Sequence, residues 1–300
     1  MSSFWTWYIG IITVGNILAC YWLILWTGKP RPDEAAQGDV TGHTWDEDLQ
    51  EYNNPLPRWW LWMFYITIVF GLGYLVLYPG LGGVAGQLGW TQASQYDEEM
   101  AAADQRYGPI FAAWAAKEIP TLARDADAMQ AGQRLFLNYC ATCHGSDAGG
   151  SRGFPNLTDS AWLYGGSPEA IKTSILDGRA GIMPPMGPAL GEQGVAEVTA
   201  YVLTLNGREA DAGLAASGKA RFESMCAACH MQNGSGNPML GAPNLTDDIW
   251  LYGGSPGVIK HTISQGRNGR MPAHGDFLGQ DKVHLLAAYV YSLGQSPAGS

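Results

Sequence analysis

Two pentapeptides carry the chemistry of this chain. Cys140-Ala141-Thr142-Cys143-His144 and Cys226-Ala227-Ala228-Cys229-His230 share the pattern Cys-x-x-Cys-His, the attachment signal of a c-type haem. On a helical turn, positions i and i+3 share a face, so both sulfurs reach the two vinyl groups of one porphyrin while the histidine at i+4 enters beneath the iron. A disulfide, a thioredoxin-like redox pair or half of a zinc site would also use Cys-x-x-Cys, but none of these needs the adjacent histidine. Two covalently attached haems c are the expectation.

The sixth iron ligand is sought downstream. Met183 lies 39 residues after His144 and Met271 lies 41 after His230, each followed by proline and preceded by a Gly-Arg-x-Gly-x stretch. A thioether opposite histidine raises the reduction potential of the iron and closes its last coordination position. A lone methionine is more often core filler; recurrence in both copies favours ligation. Met186 is a second candidate, but its equivalent is His274, which would make the second haem bis-histidine. The expected haem-binding set is Cys140, Cys143, His144, Met183, Cys226, Cys229, His230 and Met271. The iron ligands in it are His144, Met183, His230 and Met271. The simplest pairing joins His144 with Met183 and His230 with Met271, and an exchange of methionines between facing domains stays open. No acid–base constellation accompanies these residues, so no catalytic residue is expected.

These motifs belong to an internal duplication, which sets the architecture. Residues 155–159, Pro-Asn-Leu-Thr-Asp, recur at 243–247, and Trp-Leu-Tyr-Gly-Gly-Ser-Pro at 162–168 recurs at 250–256, both at an offset of 88. The cysteine motifs are offset by 86, so two residues are inserted after the second histidine. Each copy has a glycine four residues before a phenylalanine (Gly132, Phe136; Gly218, Phe222) and ends in Ala-Tyr-Val within an apolar-periodic helix. Two tandem class I cytochrome c domains are expected at 128–210 and 211–300. The pairs Trp162/Tyr164 and Trp250/Tyr252 are expected to pack beside the porphyrins, and His43, His261 and His284 to be surface residues.

The elements that must carry these domains are apolar. Phe4 to Trp26 has no charge, and 23 residues at roughly 1.5 Å each span about 35 Å, enough for a hydrocarbon core of about 30 Å. A cleaved signal peptide would need a cationic start, a shorter apolar run and a small-residue cleavage site, none of which is present. Cys20, within this span, reads as an apolar thiol. Trp59 to Tyr78 is a second uncharged run, flanked by the aromatic residues that favour the membrane interface. The chain should therefore have an anchor over 1–90 with spans at about 4–26 and 59–78, a loop at 27–58 and a helical linker at 91–127. Lys29, Arg31 and Arg58 lie between the spans and the next cation is Arg106. The loop is thus expected in the cytoplasm, and the haem domains and both termini in the periplasm of a bacterial inner membrane.

Of the 300 residues, 17 are Lys or Arg and 27 Asp or Glu, a net charge of −10 that argues against a nucleic-acid partner. Most of the excess acid lies in the loop and the linker, so no acidic docking face is inferred from it.

The stretch from His43 to Trp60, with Asn53-Asn54-Pro55-Leu56-Pro57-Arg58-Trp59-Trp60 running into a span, resembles the N-terminal signature of subunit III of cbb3-type cytochrome c oxidases, the FixP/CcoP family. With the two haem domains the likeness covers residues 41–295, and Phe4–Trp26 is an added span relative to many relatives. The resemblance implies an electron-entry subunit. A soluble periplasmic cytochrome c would donate. The partners would be the oxygen-reducing haem and copper subunit and a monohaem cytochrome c subunit. Oxygen chemistry would lie outside this chain. The alternatives are a stand-alone membrane-tethered diheme cytochrome, a cytochrome subunit of a periplasmic dehydrogenase, and a haem enzyme or gas sensor with an open iron.

Overall fold

A computed structural model describes residues 2–295; residue 1 and residues 296–300, the ends of the expected anchor and second haem domain, lie outside the described residues. The chain is mainly α-helical and divides into two compact units, residues 1–105 and 106–300.

In the first unit, α1 (Ser3–Thr27) and α2 (Arg58–Leu77) are both long and apolar enough to cross a membrane. They match the runs read from hydropathy to within a residue at each end. Three of their polar side chains bond to a carbonyl of their own helix, as suits a lipid environment. Asn16 donates to the Ile12 carbonyl at 2.8 Å, Thr27 to Leu23 at 2.8 Å and Thr67 to Phe64 at 2.7 Å. Phe4, Trp7, Ile11, Leu18 and Trp22 point outward from α1, and Trp59, Ile66, Val69 and Phe70 from α2. A helix that is apolar on every outward face fits lipid rather than water. The 27–58 loop holds an exposed antiparallel hairpin of β1 (Val40–Trp45) and β2 (Leu49–Tyr52), closed through Asp46 and Glu47 at positive φ.

The helix α3 (Gln92–Ala115) ends earlier than the helical composition to Ala126 suggests. The short α4 (Ile119–Leu122) follows, with Pro120 in its first turn.

The second unit contains the two repeats. The first holds α5 (Ala126–Tyr139), α6 (Ala141–His144), α7 (Pro168–Asp177), β3 (Arg179–Met183) and α8 (Gly187–Leu205). The second holds α9 (Ala212–Met225), α10 (Ala227–His230), α11 (Pro256–Gln265), β4 (Arg267–Met271), α12 (Gly275–Leu278) and α13 (Gln280–Gln295). Local chemistry sets the starts. Asp125, Ser167, Asp211 and Ser255 each cap a helix by accepting from a backbone N–H three residues on, and Pro168 and Pro256 take the first helical position. The chain breaks at the same place in both copies, Gly191 inside α8 and Gly279 between α12 and α13, each at positive φ.

The hydrophobic cores do not follow the contiguous repeats. One core joins Ile119, Leu122, Phe136, Ile171 and Ile175 to Leu278, Val283, Leu285, Leu286 and Val290. The other joins Leu190, Val195, Val198, Val202 and Leu203 to Phe222, Ile259 and Ile263. The terminal helices of the repeats are thus exchanged: α13 packs on α5 and α7, and α8 packs on α9 and α11. The expected segments 128–210 and 211–300 each contribute to both cores. The glycine before each phenylalanine now has a reason. A Cβ on Gly132 would stand 2.8 Å from Tyr289 Cβ, and one on Gly218 would collide with the Glu197 carbonyl. Each phenylalanine meets a tyrosine of the other repeat, Phe136 with Tyr289 at 5.5 Å and Phe222 with Tyr201 at 5.2 Å between ring centres.

The crossing point is a two-stranded antiparallel ribbon of β3 and β4, an element that the helical reading of the sequence does not contain. Gly181 pairs with Gly269, its own equivalent at the offset of 88, so the register is symmetric about that pair. A segment pairing antiparallel with its own copy is what a local two-fold axis produces. Gly178 and Gly266 flank the ribbon at positive φ, where a Cβ would strike the carbonyls of Met271 and Met183 respectively.

Candidate functional site

Each Cys-x-x-Cys-His motif forms one short helical turn behind a longer helix that ends at its first cysteine. In α6 and α10 the N–H of the histidine donates to the carbonyl of that cysteine, His144 to Cys140 at 3.0 Å and His230 to Cys226 at 2.9 Å. The i, i+3 and i+4 positions that the motif predicts are therefore realised in both copies. No disulfide joins any of the five cysteines.

Both histidines are oriented the same way. His144 Nδ1 donates to the Pro155 carbonyl at 2.9 Å, and His230 Nδ1 to the Pro243 carbonyl at 3.1 Å. A carbonyl can only accept, so Nδ1 carries the proton and Nε2 keeps its lone pair. This is the partner that a metal-ligating histidine uses to fix its tautomer. Burial pushes both imidazoles below the usual histidine range, against the raising effect of the carbonyl contacts, so they are neutral ligands at physiological pH.

The repeated Pro-Asn-Leu-Thr-Asp segment supplies those carbonyls and is built from local turns. Asn156 Oδ1 accepts from the Thr158 N–H and hydroxyl, and Asp159 Oδ1 from the Ala161 N–H; Asn244 and Asp247 repeat both contacts. Asn and Asp side chains favour such turns because they imitate a backbone carbonyl. The proline carbonyls were not among the sequence-derived candidates, although their recurrence behind each motif was a readable signal.

Burial, with a smaller push from the neighbouring Cys143, raises Cys140 to about 11, and burial likewise raises Cys226. Among the described residues no group of three or more His, Cys, Asp or Glu side chains could hold a metal ion. Paired sulfurs, a lone-pair Nε2 and a nearby thioether form the donor set of a covalent haem, and the residues present fit that group.

The methionines sit where the exchanged cores put them. Met271 and Cys140 both pack against the first core, and Met183 and Cys226 both against the second. Met186 joins Met183 in the second core. Its equivalent, His274, is half-buried beside the first: its backbone N–H donates to the Ile175 carbonyl at 3.0 Å, its buried Nδ1 has no hydrogen-bond partner within the chain, and its charge would act on His144. Trp162 packs on the first core and Trp250 on the second, while Arg179 lies 4.7 Å from the Tyr164 ring centre and Arg267 4.3 Å from that of Tyr252.

Two histidines outside the motifs differ. His261 is exposed, as expected, whereas His284 is half-buried and bridging, which corrects its reading as a surface residue. Its Nε2 donates to the Lys117 carbonyl at 2.8 Å, so its Nδ1 accepts from Lys172 Nζ at 3.3 Å. The exchange carries α13 into this position, which a reading by contiguous repeats could not show. His43 is exposed against Trp45 at 4.3 Å between ring centres, and Cys20 lines an apolar cleft with Leu23, Trp60 and Phe64.

Residues 37–85 match the family model described as the N-terminal domain of cytochrome oxidase-cbb3, FixP, and residues 127–202 and 213–290 match that of cytochrome c oxidase, cbb3-type, subunit III. The cbb3-type cytochrome c oxidase subunit CcoP of Rubrivivax gelatinosus is 45% identical over 98% of this chain and 96% of its own length. The subunit CcoP of Cereibacter sphaeroides is 36% identical over 89% of this chain and 98% of its own. The subunit FixP of Azorhizobium caulinodans is 39% identical over 87% and 95%.

Proposed function

This chain belongs to the FixP/CcoP family, subunit III of cbb3-type cytochrome c oxidases, and from that premise we propose that it is the oxidase's membrane-anchored diheme electron-entry subunit. The observation that carries the reading is the pair of Cys-x-x-Cys-His turns, each with its histidine tautomer set by a proline carbonyl.

Haem iron supplies one-electron chemistry when bound. The chain's own residues determine what that iron can do. Cys140 and Cys143, and Cys226 and Cys229, would hold the two groups covalently. His144 and His230 would present neutral Nε2 atoms to the iron, and Met183 and Met271 would supply thioether sulfurs. Sites so liganded would carry electrons rather than bind a substrate at iron. Oxygen reduction is left to the haem and copper subunit of the complex, with a monohaem cytochrome c subunit between, and a soluble periplasmic cytochrome c is the donor.

Both α1 and α2 cross the bacterial inner membrane in this reading. Lys29, Arg31 and Arg58 keep residues 28–57 in the cytoplasm, which leaves the haem domains and both termini in the periplasm. Gly71 and Gly73 of α2 have nothing within 4 Å of a would-be Cβ, room that suits close packing against a helix of another subunit.

Purification of the chain from membranes in mild detergent tests the proposal. Two covalent haems per chain and co-isolation with haem b and copper are expected. A chain recovered alone, without an oxidase, contradicts the proposed role.

A further inference from the structure

We propose that the β1–β2 hairpin of the 27–58 loop is a docking element, seated on a Lys/Arg-rich cytoplasmic loop of another membrane-spanning subunit of the oxidase. The inference rests on the cytoplasmic placement of the loop proposed above and deepens it by assigning the surface through which the chain is held in the complex.

The hairpin is tied at its open end and bare on its faces. The Asn53 N–H donates to the Asp39 carbonyl at 2.7 Å, the Gly38 N–H to the Asn53 carbonyl at 2.9 Å, and Asn53 Nδ2 to the Ala35 carbonyl at 2.5 Å. Every residue of β1 and β2 is nevertheless exposed. Trp45 and Leu49 are direct partners across the ribbon, and such partners project to the same face. They are 55% and 65% exposed, and the His43 ring lies 4.3 Å from that of Trp45. Two strands without a covering layer are marginal in water. An indole and a leucine side by side on an uncovered face are the kind of anchor that a protein partner buries.

Charge selects the partner. Residues 28–57 hold seven carboxylates and two cations. The cations stay near the end of α1, where Arg31 lies 4.1 Å from the Trp26 ring centre and pairs with Glu34 at 3.6 Å. The acids gather at the far end: Asp46, Glu47 and Asp48 make up the turn, and Glu51, two residues beyond Leu49, shares its face. The cytoplasmic leaflet is anionic and repels such a tip. A second copy of the same hairpin would repel it too. The cytoplasmic loops of membrane-spanning subunits are enriched in Lys and Arg, which complements it. An apolar pocket rimmed by those cations fits both the Trp45–Leu49 face and the acidic turn.

The test uses the complex purified from membranes in mild detergent, with a photoreactive benzophenone amino acid in place of Leu49. Irradiation is expected to join this chain to a different membrane-spanning subunit, at a Lys/Arg-rich loop located by peptide mass spectrometry. A lipid adduct alone, a crosslink between two copies of this chain, or no adduct overturns the proposal.

A triple change, Asp46→Asn with Glu47→Gly and Asp48→Asn, separates charge from folding. Asp46 and Glu47 stand at φ 49° and 72°, a backbone that Asn and Gly adopt more readily, so the turn is kept while its charge is lost. Crosslink yield and retention of the other subunits are expected to fall several-fold, with the haem content of the chain unchanged. Unchanged yield and retention overturn the charge-selected docking. A chain that co-isolates with the oxidase but crosslinks to no other subunit overturns the hairpin's role alone. A chain recovered without any oxidase subunit sinks the parent reading and this inference with it.

Discussion

The two hydrophobic cores share a topology and differ at corresponding positions of the same helix crossing. In the first, Leu135 and the fully buried Leu285 occupy the places that Arg221 and Glu197 take in the second. Arg221 donates to Glu197 at 2.5 Å, with the carboxylate side chain only 10% exposed. The first core also gains Ile119 and Leu122 from α4, for which the second has no counterpart. The histidines differ too: His230 is buried and followed by Met231 at φ 64°, whereas His144 is half-buried and followed by Gly145 at φ 79°. A left-handed backbone costs a glycine little and a methionine about 1 kcal/mol or more. The repeats thus preserve the Cys-x-x-Cys-His turns and the residues that position the helix crossing, while the rim of each core diverges.

Replacing the attachment residues breaks the comparison most severely. Cys140→Ala with Cys143→Ala should remove one covalent haem, and Cys226→Ala with Cys229→Ala the other, measured by haem staining and pyridine haemochrome content. Two haems per chain after either change would refute the assignment.

Next come the crossing glycines. Overpacking of this kind costs about 1–3 kcal/mol or more. Gly218→Ala should exceed Gly132→Ala, because its Cβ meets a backbone carbonyl and the other meets a side-chain carbon. Thermal denaturation checks the order. Leu285→Ala, at a fully buried position, should cost about 2–5 kcal/mol.

The charged pair gives a smaller, pH-dependent effect. Hydrogen bonds from Arg221 and then Gln193 hold Glu197 below the ordinary glutamate value of 4.5. A lowered carboxyl pKa contributes stability fully above 4.5 and loses it as pH falls through the folded value. Between pH 7 and pH 3 the native chain should therefore lose more stability than Glu197→Gln, as read from denaturation midpoints. Equal losses would show that the pair contributes nothing.

The smallest expected effect lies at the column where the repeats disagree. His274→Leu removes a polar, unpartnered ring near His144 and should raise the potential of that haem alone, because less polarity stabilises the ferric charge less. A redox titration resolving both haems checks this, and the shift should be smaller than that of a ligand replacement.

Much of the molecule was legible beforehand. The spans, the duplication and the Cys-x-x-Cys-His turns follow from local patterns, and each stands where those patterns place it. The exchange was not legible, because Gly132, Phe136, Tyr201 and their equivalents satisfy the same helix crossing within a repeat or between repeats. Only the path of the chain through residues 178–187 and 266–275 distinguishes them. For the same reason the β3–β4 ribbon is invisible in either copy read by itself. The bridging role of His284 depends on where α13 lands. The hairpin in the 27–58 loop left only weak alternation.

The most direct test of the central claim, two covalent haems each with both axial positions filled, is the absorption spectrum of the purified reduced chain before and after carbon monoxide, together with its haem content. Two haems per chain and an unchanged spectrum are predicted. A gas-induced shift, or fewer than two haems, would contradict it.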